Sequence, residues 1–291
     1  MGSSITQILN SNPNLPNDSK LLDGWVADVA QMSPAQLQAL SNTTLNSSTK
    51  TPIDAATLLT DLQGTYTIVK TFGTPNGSGD GYFGVELKTT DANGNPVYIL
   101  VDRQFRLTTG SAGDIATDIE NVAADEIGID PPGLDGAKSA VETVAQDALS
   151  NGGTLIPIGQ SEGGMFAQLQ QAYLQSGGSA LGTALPPSMS LTINAVPSDA
   201  VINRMSGVTP SEVNGLNISA TDDMFTGPHS ISQNTTGTQL YVSQNNDGTF
   251  QASTTSSGSF FVIAHGVGGK VLRRDSGYES KAGWFSRRAF A

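Results

Sequence analysis

The sequence predicts an α/β fold: a mixed, mostly parallel sheet flanked by helices, with an N-terminal helical extension. Three observations carry this. Thr65 to Thr71 and Tyr82 to Lys88 alternate apolar and polar residues as half-buried strands do, and Tyr98 to Val101 is a short apolar run. From Leu134 onward, helical and strand-like periods alternate, the pattern of β-α-β units with parallel neighbours. Between two of these elements the apolar run Thr154 to Ile158 passes through Gly159-Gln160-Ser161-Glu162-Gly163 directly into a helix-like stretch over 164–176.

In chain order, residues 1–19 are rich in Asn, Ser and Pro and read as loose. Lys20 to Gln31 carries Leu21, Leu22, Trp25, Val26 and Val29 at helical spacing. Ser33-Pro34 then opens a short helix with Leu37 and Leu40 on one face, serine as cap and proline in the first turn. Thr51 to Leu62 reads as another helix, which completes a helical segment over 1–63. Asp91 to Pro96 contains Asn93-Gly94, a hairpin turn between the second and third strands. Gly77 to Gly81 resembles a piece of a calcium loop but lacks the repeat and the closing Glu, and it reads as a hairpin tip. Helices follow over Ala112 to Ala124 and Leu134 to Ser150, the second with an apolar stripe at 137, 141, 144, 145, 148 and 149. Strands are expected at Ser190–Asn194, Leu216–Ser219, Gln239–Ser243 and Ser259–Ala264, with a short helix near Asp199–Met205. Pro157 is awkward inside a strand, and a strand ending near Ile156 would accommodate it.

Composition narrows the function. There are 26 acidic residues against 14 basic ones, so no basic surface exists to displace the counterions of a nucleic acid. The absence of cysteine excludes disulfides, thiolate catalysis and Cys-based metal sites; no metal or cofactor is expected. No apolar run reaches the roughly 18 residues of a membrane span. The N-terminus lacks the basic and apolar regions of a signal peptide, so the chain is expected to be cytoplasmic or secreted by a non-Sec route. Met1-Gly2-Ser3-Ser4-Ile5-Thr6 fits the myristoylation pattern, which short Gly/Ser starts often match without consequence.

Gly159-Gln160-Ser161-Glu162-Gly163 has the G-x-S-x-G layout of a nucleophile elbow, in which a serine is presented on a sharp strand-to-helix turn. A serine hydroxyl attacks poorly until a base takes its proton, and that base is commonly a histidine oriented by a carboxylate. Only two histidines exist, both downstream of Ser161. His265 follows the apolar run Phe260 to Ala264 and is the preferred base; His229 lies in a turn-rich stretch and is the alternative. For the acid, Asp222 and Asp223 follow an expected strand, although adjacent acids often only solvate a turn. Asp199 is the other choice and fits better as a helix cap.

Phe105-Arg106-Leu107-Thr108, Gly113 to Ile119, Gly159 to Gly164, Thr221 to Phe225, Gly237 to Ser243 and Ile263 to His265 together resemble the class 3 (fungal-type) lipases of the α/β-hydrolase superfamily, over about Tyr82 to Leu272. The resemblance implies an α/β-hydrolase-like domain over 64–272, with Ser161 as nucleophile, Asp223 (alternative Asp222) as acid and His265 as base. It also implies an oxyanion hole from the N–H groups of Thr108 and Glu162. Leu107, Gln160 and Glu162 depart from the family pattern. An ionised Glu162 beside a developing oxyanion would oppose catalysis. The expected activity is hydrolysis of lipid or other acyl esters. The alternatives are a catalytically inactive binding protein on the same scaffold and an acyltransferase with the same triad.

The segment 273–291 has five basic residues against two acidic ones, with Trp284, Phe285 and Phe290 interleaved. It could make a peripheral membrane contact or fold back on the acidic body, and the second is favoured.

Overall fold

A computed structural model describes residues 5–49, 59–73, 81–104, 118, 120–125, 128–186, 188–220, 234–244 and 250–253. One nine-stranded sheet runs through it: β1 (Thr44–Leu45), β2 (Tyr66–Gly73), β3 (Phe83–Thr90), β4 (Pro96–Asp102), β5 (Thr154–Gln160), β6 (Ser190–Ile193), β7 (Gly215–Ala220), β8 (Thr238–Gln244) and β9 (Phe250–Ser253). The strands lie in sequence order. β4 to β8 are mutually parallel, while β1 to β4 and the β8–β9 pair are antiparallel. The sheet is therefore mixed around a parallel centre.

Sequence order has a geometric consequence. Right-handed crossovers that always step in the same direction put every crossover helix on the same face of the sheet. α4 (Leu134–Ser150) and α5 (Glu162–Gln175) accordingly share one core with Tyr82, Tyr98, Leu100 and Leu155. The opposite face, with Val85, Val101, Ile156, Ile158 and Leu191, needs another cover. α1 (Ile5–Ser11), α2 (Leu15–Val29) and α3 (Pro34–Leu40) supply it, so the N-terminal helices are a layer of the fold and not an appendage.

That corrects the reading of residues 1–19 as loose. Ile8, Leu9 and Leu15 are buried, Pro16 sits in the first turn of α2 where its missing N–H is harmless, and the polar residues are partnered. Asn17 Nδ2 donates to Gln63 Oε1 (3.0 Å), and Asp18 accepts from the N–H groups of Gln63 and Gly64 and from the Tyr66 hydroxyl (2.8, 2.9 and 2.5 Å). α2 thus starts five residues earlier than its apolar stripe suggested. α3 carries the expected cap, with Ser33 N–H donating to Gln36 Oε1 at 2.9 Å. Leu22, Trp25, Val26 and Val29 of α2 are wholly buried against the sheet. Trp25→Ala should cost about 3–5 kcal/mol in a urea titration. Trp25→Phe should cost less, because the Trp25 ring N–H is buried with no partner among the described residues.

The hairpin between β3 and β4 forms as expected, with Asp91 accepting from the N–H groups of Asn93 and Asn95 (both 2.8 Å). β5 does not stop at Ile156. It runs through Pro157 to Gln160, and the ladder to β6 starts only at Ile158, so the proline lies just before that side must be hydrogen-bonded. β9 at Phe250–Ser253 was not anticipated, and the strand expected at Ser259–Ala264 lies outside the described residues. Most of the helix expected at Thr51–Leu62, the tip at 77–80 and the tail 273–291 also lie outside them; of the helix expected at Ala112–Ala124, residues 118 and 120–124 are helical. Among the described residues no helix is long and apolar enough to cross a membrane.

Candidate functional site

Parallel α/β sheets expose their functional edge where the strands end. Here that edge holds Asp102 at the end of β4, Ser161 after β5, Asn194 after β6 and Ala220 at the end of β7. Ser161 alone links a strand to a helix with no intervening loop, because β5 ends at Gln160 and α5 begins at Glu162. The turn forces Ser161 to φ 54°, ψ −120°, a conformation that L-residues avoid. Three backbone bonds hold it there. Ser161 N–H donates to Ile193 O, and Ser161 O accepts from the N–H groups of Met165 and Val196, all at 3.1 Å. The side chain is partly exposed while almost all of α5 behind it is buried.

Such a tight turn requires glycine on either side. A Cβ on Gly159 would stand 2.3 Å from Gly163 C, and one on Gly163 would stand 2.4 Å from Asp102 O. Those neighbours are backbone and cannot swing away. Gly163→Ala should therefore force α5 off β4, cost about 3 kcal/mol or more, and appear as a lowered thermal midpoint or insoluble protein.

The residues flanking Ser161 point to opposite sides. Gln160 N–H donates to Asp23 Oδ1 of α2 at 3.1 Å, which ties the end of β5 to the N-terminal layer. The Glu162 side chain turns into the protein, where it is 1% exposed. Its Oε1 accepts from Asn121 Nδ2 at 2.8 Å, and Asn121 Oδ1 accepts from Gly133 N–H at 2.9 Å, just before α4. Beside it lies the buried ion pair Arg103–Asp118 at 2.5 Å. Burial pushes the Glu162 carboxyl well above the usual carboxylate range and Asp118 pushes it further, against the pull of Arg103 and the Asn121 bond. Burial thus disfavours charge on this group. Its backbone N–H lies in the first turn of α5, where N–H groups have no intrahelical acceptor.

Asp102, fully buried at the end of β4, accepts from the Tyr82 hydroxyl (2.6 Å) and Gln170 Nε2 (3.0 Å), so it fastens α5 to the sheet a second time. Burial also raises this carboxyl well above its ordinary value, and the two bonds only partly offset that.

Asp199 opens α6 (Asp199–Ile202) but binds the chain before β8. It accepts from Thr235 N–H (2.9 Å), the Thr235 hydroxyl (2.5 Å) and the Thr236 hydroxyl (2.6 Å). Around it runs a buried polar network. Gln168 of α5 accepts from the Ser198 hydroxyl and Asn234 Nδ2 (2.8 and 3.2 Å), and Asn234 also donates to Ala195 O at 3.1 Å. β7 thus ends at Ala220 on the edge that carries Ser161, and Asn234, before β8, is bonded to the helix that follows Ser161. Asp222, Asp223, His229, His265 and Thr108 lie outside the described residues.

The described residues therefore place Ser161 and the N–H of Glu162 on this edge, and tie Asn234 to α5 through Gln168 and to Ala195. Sequence reasoning missed Asp23, Asp102, Asn121 and Arg103, which hold this edge together. Their partners are far along the chain, and no local pattern marks them. Among the described residues no cluster of His, Asp or Glu suits a metal ion. In class the chain is an α/β protein, with a mixed sheet between two helical layers and a strained serine at its carboxyl edge. No family model and no curated protein matches the sequence.

Proposed function

We propose that the chain is a serine hydrolase of α/β-hydrolase type that cleaves carboxylic esters, of lipids or other acyl compounds, through an acyl-enzyme on Ser161. The observation that carries this is the positive-φ serine between β5 and α5, at the sheet edge where ligands of α/β proteins bind. In this reading His265, with His229 as alternative, takes the Ser161 proton as Oγ bonds to the ester carbonyl carbon. The same imidazolium then protonates the departing alkoxide, and water releases the acid by the reverse sequence. Asp223, or Asp222, orients the imidazole. The Glu162 N–H, with that of Thr108, receives the oxyanion.

The buried, inward Glu162 supports activity over the inactive-scaffold alternative, since burial disfavours a charge on that side chain that would oppose the oxyanion. An acyltransferase would differ only in excluding water at deacylation. The test is a fluorophosphonate probe with peptide mapping, run alongside p-nitrophenyl esters from acetate to palmitate. Labelling confined to the peptide that holds Ser161, together with ester turnover, is expected. Wild-type protein that neither labels nor turns over ester would end the proposal.

A further inference from the structure

The carboxyl of Glu162 takes no part in the reaction above, yet a buried acid directly after a nucleophile needs a physical reason. Its surroundings supply one. Two of the places where the first turn of α5 meets the rest of the protein bear on Glu162. Gly163 abuts the carbonyls of Asp102 and Arg103 so closely that a Cβ would lie 2.4 and 2.9 Å from them. Glu162 reaches past that contact to Asn121, which in turn holds Gly133 at the start of α4. One side chain therefore links the start of the helix behind Ser161 to the start of the helix before β5. Asn121 is itself wholly buried, so water does not compete for the bond.

We propose that the Glu162 side chain is a positioning residue that fixes its own backbone N–H as an oxyanion donor, by clamping the first turn of α5 through Asn121. This rests on the serine-hydrolase reading. Burial disfavours charge on this carboxyl. The charged groups facing it are Arg103, just after β4, which favours its ionised form, and Asp118, which opposes it; these two pair with each other. Ionisation of Glu162 strengthens its bond to Asn121 but places a charge in a buried site and near the developing oxyanion. Activity therefore falls as this group ionises with rising pH.

Steady-state kinetics on full-length protein with p-nitrophenyl butyrate test this across pH 6–10. Glu162→Ala should lower kcat about 10–100-fold with little change in KM, since a misplaced oxyanion donor acts on the transition state. Fluorophosphonate should still label Ser161 in that variant, more slowly. Glu162→Gln preserves the oxygen that accepts from Asn121, should lower kcat less than alanine does, and should lack the alkaline limb of the wild-type kcat profile. If Glu162→Ala does not fold, Asn121→Ala removes the same bond from the other side, and the Glu162→Gln profile still decides. An unchanged alkaline limb in Glu162→Gln, or wild-type kcat in Glu162→Ala, overturns the proposal. Wild-type protein that fails to label overturns the hydrolase reading instead, so the two failures are distinct.

Discussion

Ser161→Ala should reduce kcat/KM for ester hydrolysis by about 10,000-fold or more and abolish fluorophosphonate labelling, with an unchanged thermal transition. The oxyanion donors and substrate site remain, so residual turnover above the uncatalysed rate is expected. The fold should be indifferent because alanine keeps the Cβ, and with it the strain of φ 54°. Glycine would not. Ser161→Gly places at that φ the residue that tolerates it, and should raise stability by about 1 kcal/mol while being as inactive as alanine. Thermal melts of the pair separate the cost of presenting a hydroxyl from the use made of it. A Ser161→Gly variant no more stable than wild type would mean that the turn is not strained.

Stability should fall as pH rises from about 5 to 8, the reverse of ordinary acid denaturation. Four buried carboxyls are raised by burial: Asp18, Glu86, Asp102 and Glu162. Glu86, on β3 beneath α4, is the clearest. Its pKa is pushed up to about 7 against the pull of Lys70, which lies 3.5 Å away and is itself shared with Asp147 at 2.7 Å. Between the ordinary value of 4.5 and about 7, the folded chain keeps a proton that the unfolded chain releases. The contribution is full below pH 4.5 and is lost by about pH 7, an effect of about 3 kcal/mol. Asp102 and Glu162, also raised well above their ordinary values by burial, add to the decline. Asp91, partly exposed, and Glu212, exposed, have pKa values lowered by hydrogen bonds; they act the other way, losing their contribution as the pH drops below the ordinary range. The melting temperature should drop by about 5–10 °C from pH 5 to 8, and Glu86→Gln should remove much of the slope. A flat or rising profile over that range would show these groups ionised in the fold.

Local chemistry was readable before any coordinates. α4 follows its apolar stripe, the β3–β4 hairpin follows Asn93-Gly94, and the elbow follows from glycines whose backbone neighbours leave no room for a Cβ. Non-local facts were not. The Asn- and Pro-rich start looked loose because what orders it lies at Gln63, Gly64 and Tyr66. Pro157 stays inside β5 because of where β6 begins to pair. Glu162 read as a threat to catalysis because sequence cannot say which way a side chain turns, nor that Asn121 waits inside the protein for it.

The single-direction sheet also constrains how the chain acquires its structure. α2 is made early, but the strands it covers come much later; Asp23 and Gln160, which bond, are 137 residues apart. Until β5 and β6 emerge, Leu22, Trp25 and Val26 have only part of the surface they settle on. Folding must therefore wait for long-range closure, which makes it slow and leaves an apolar helix exposed in the meantime. During synthesis the N-terminal helices are thus the natural place for a chaperone to hold, and a chain truncated before β5 should not fold at all.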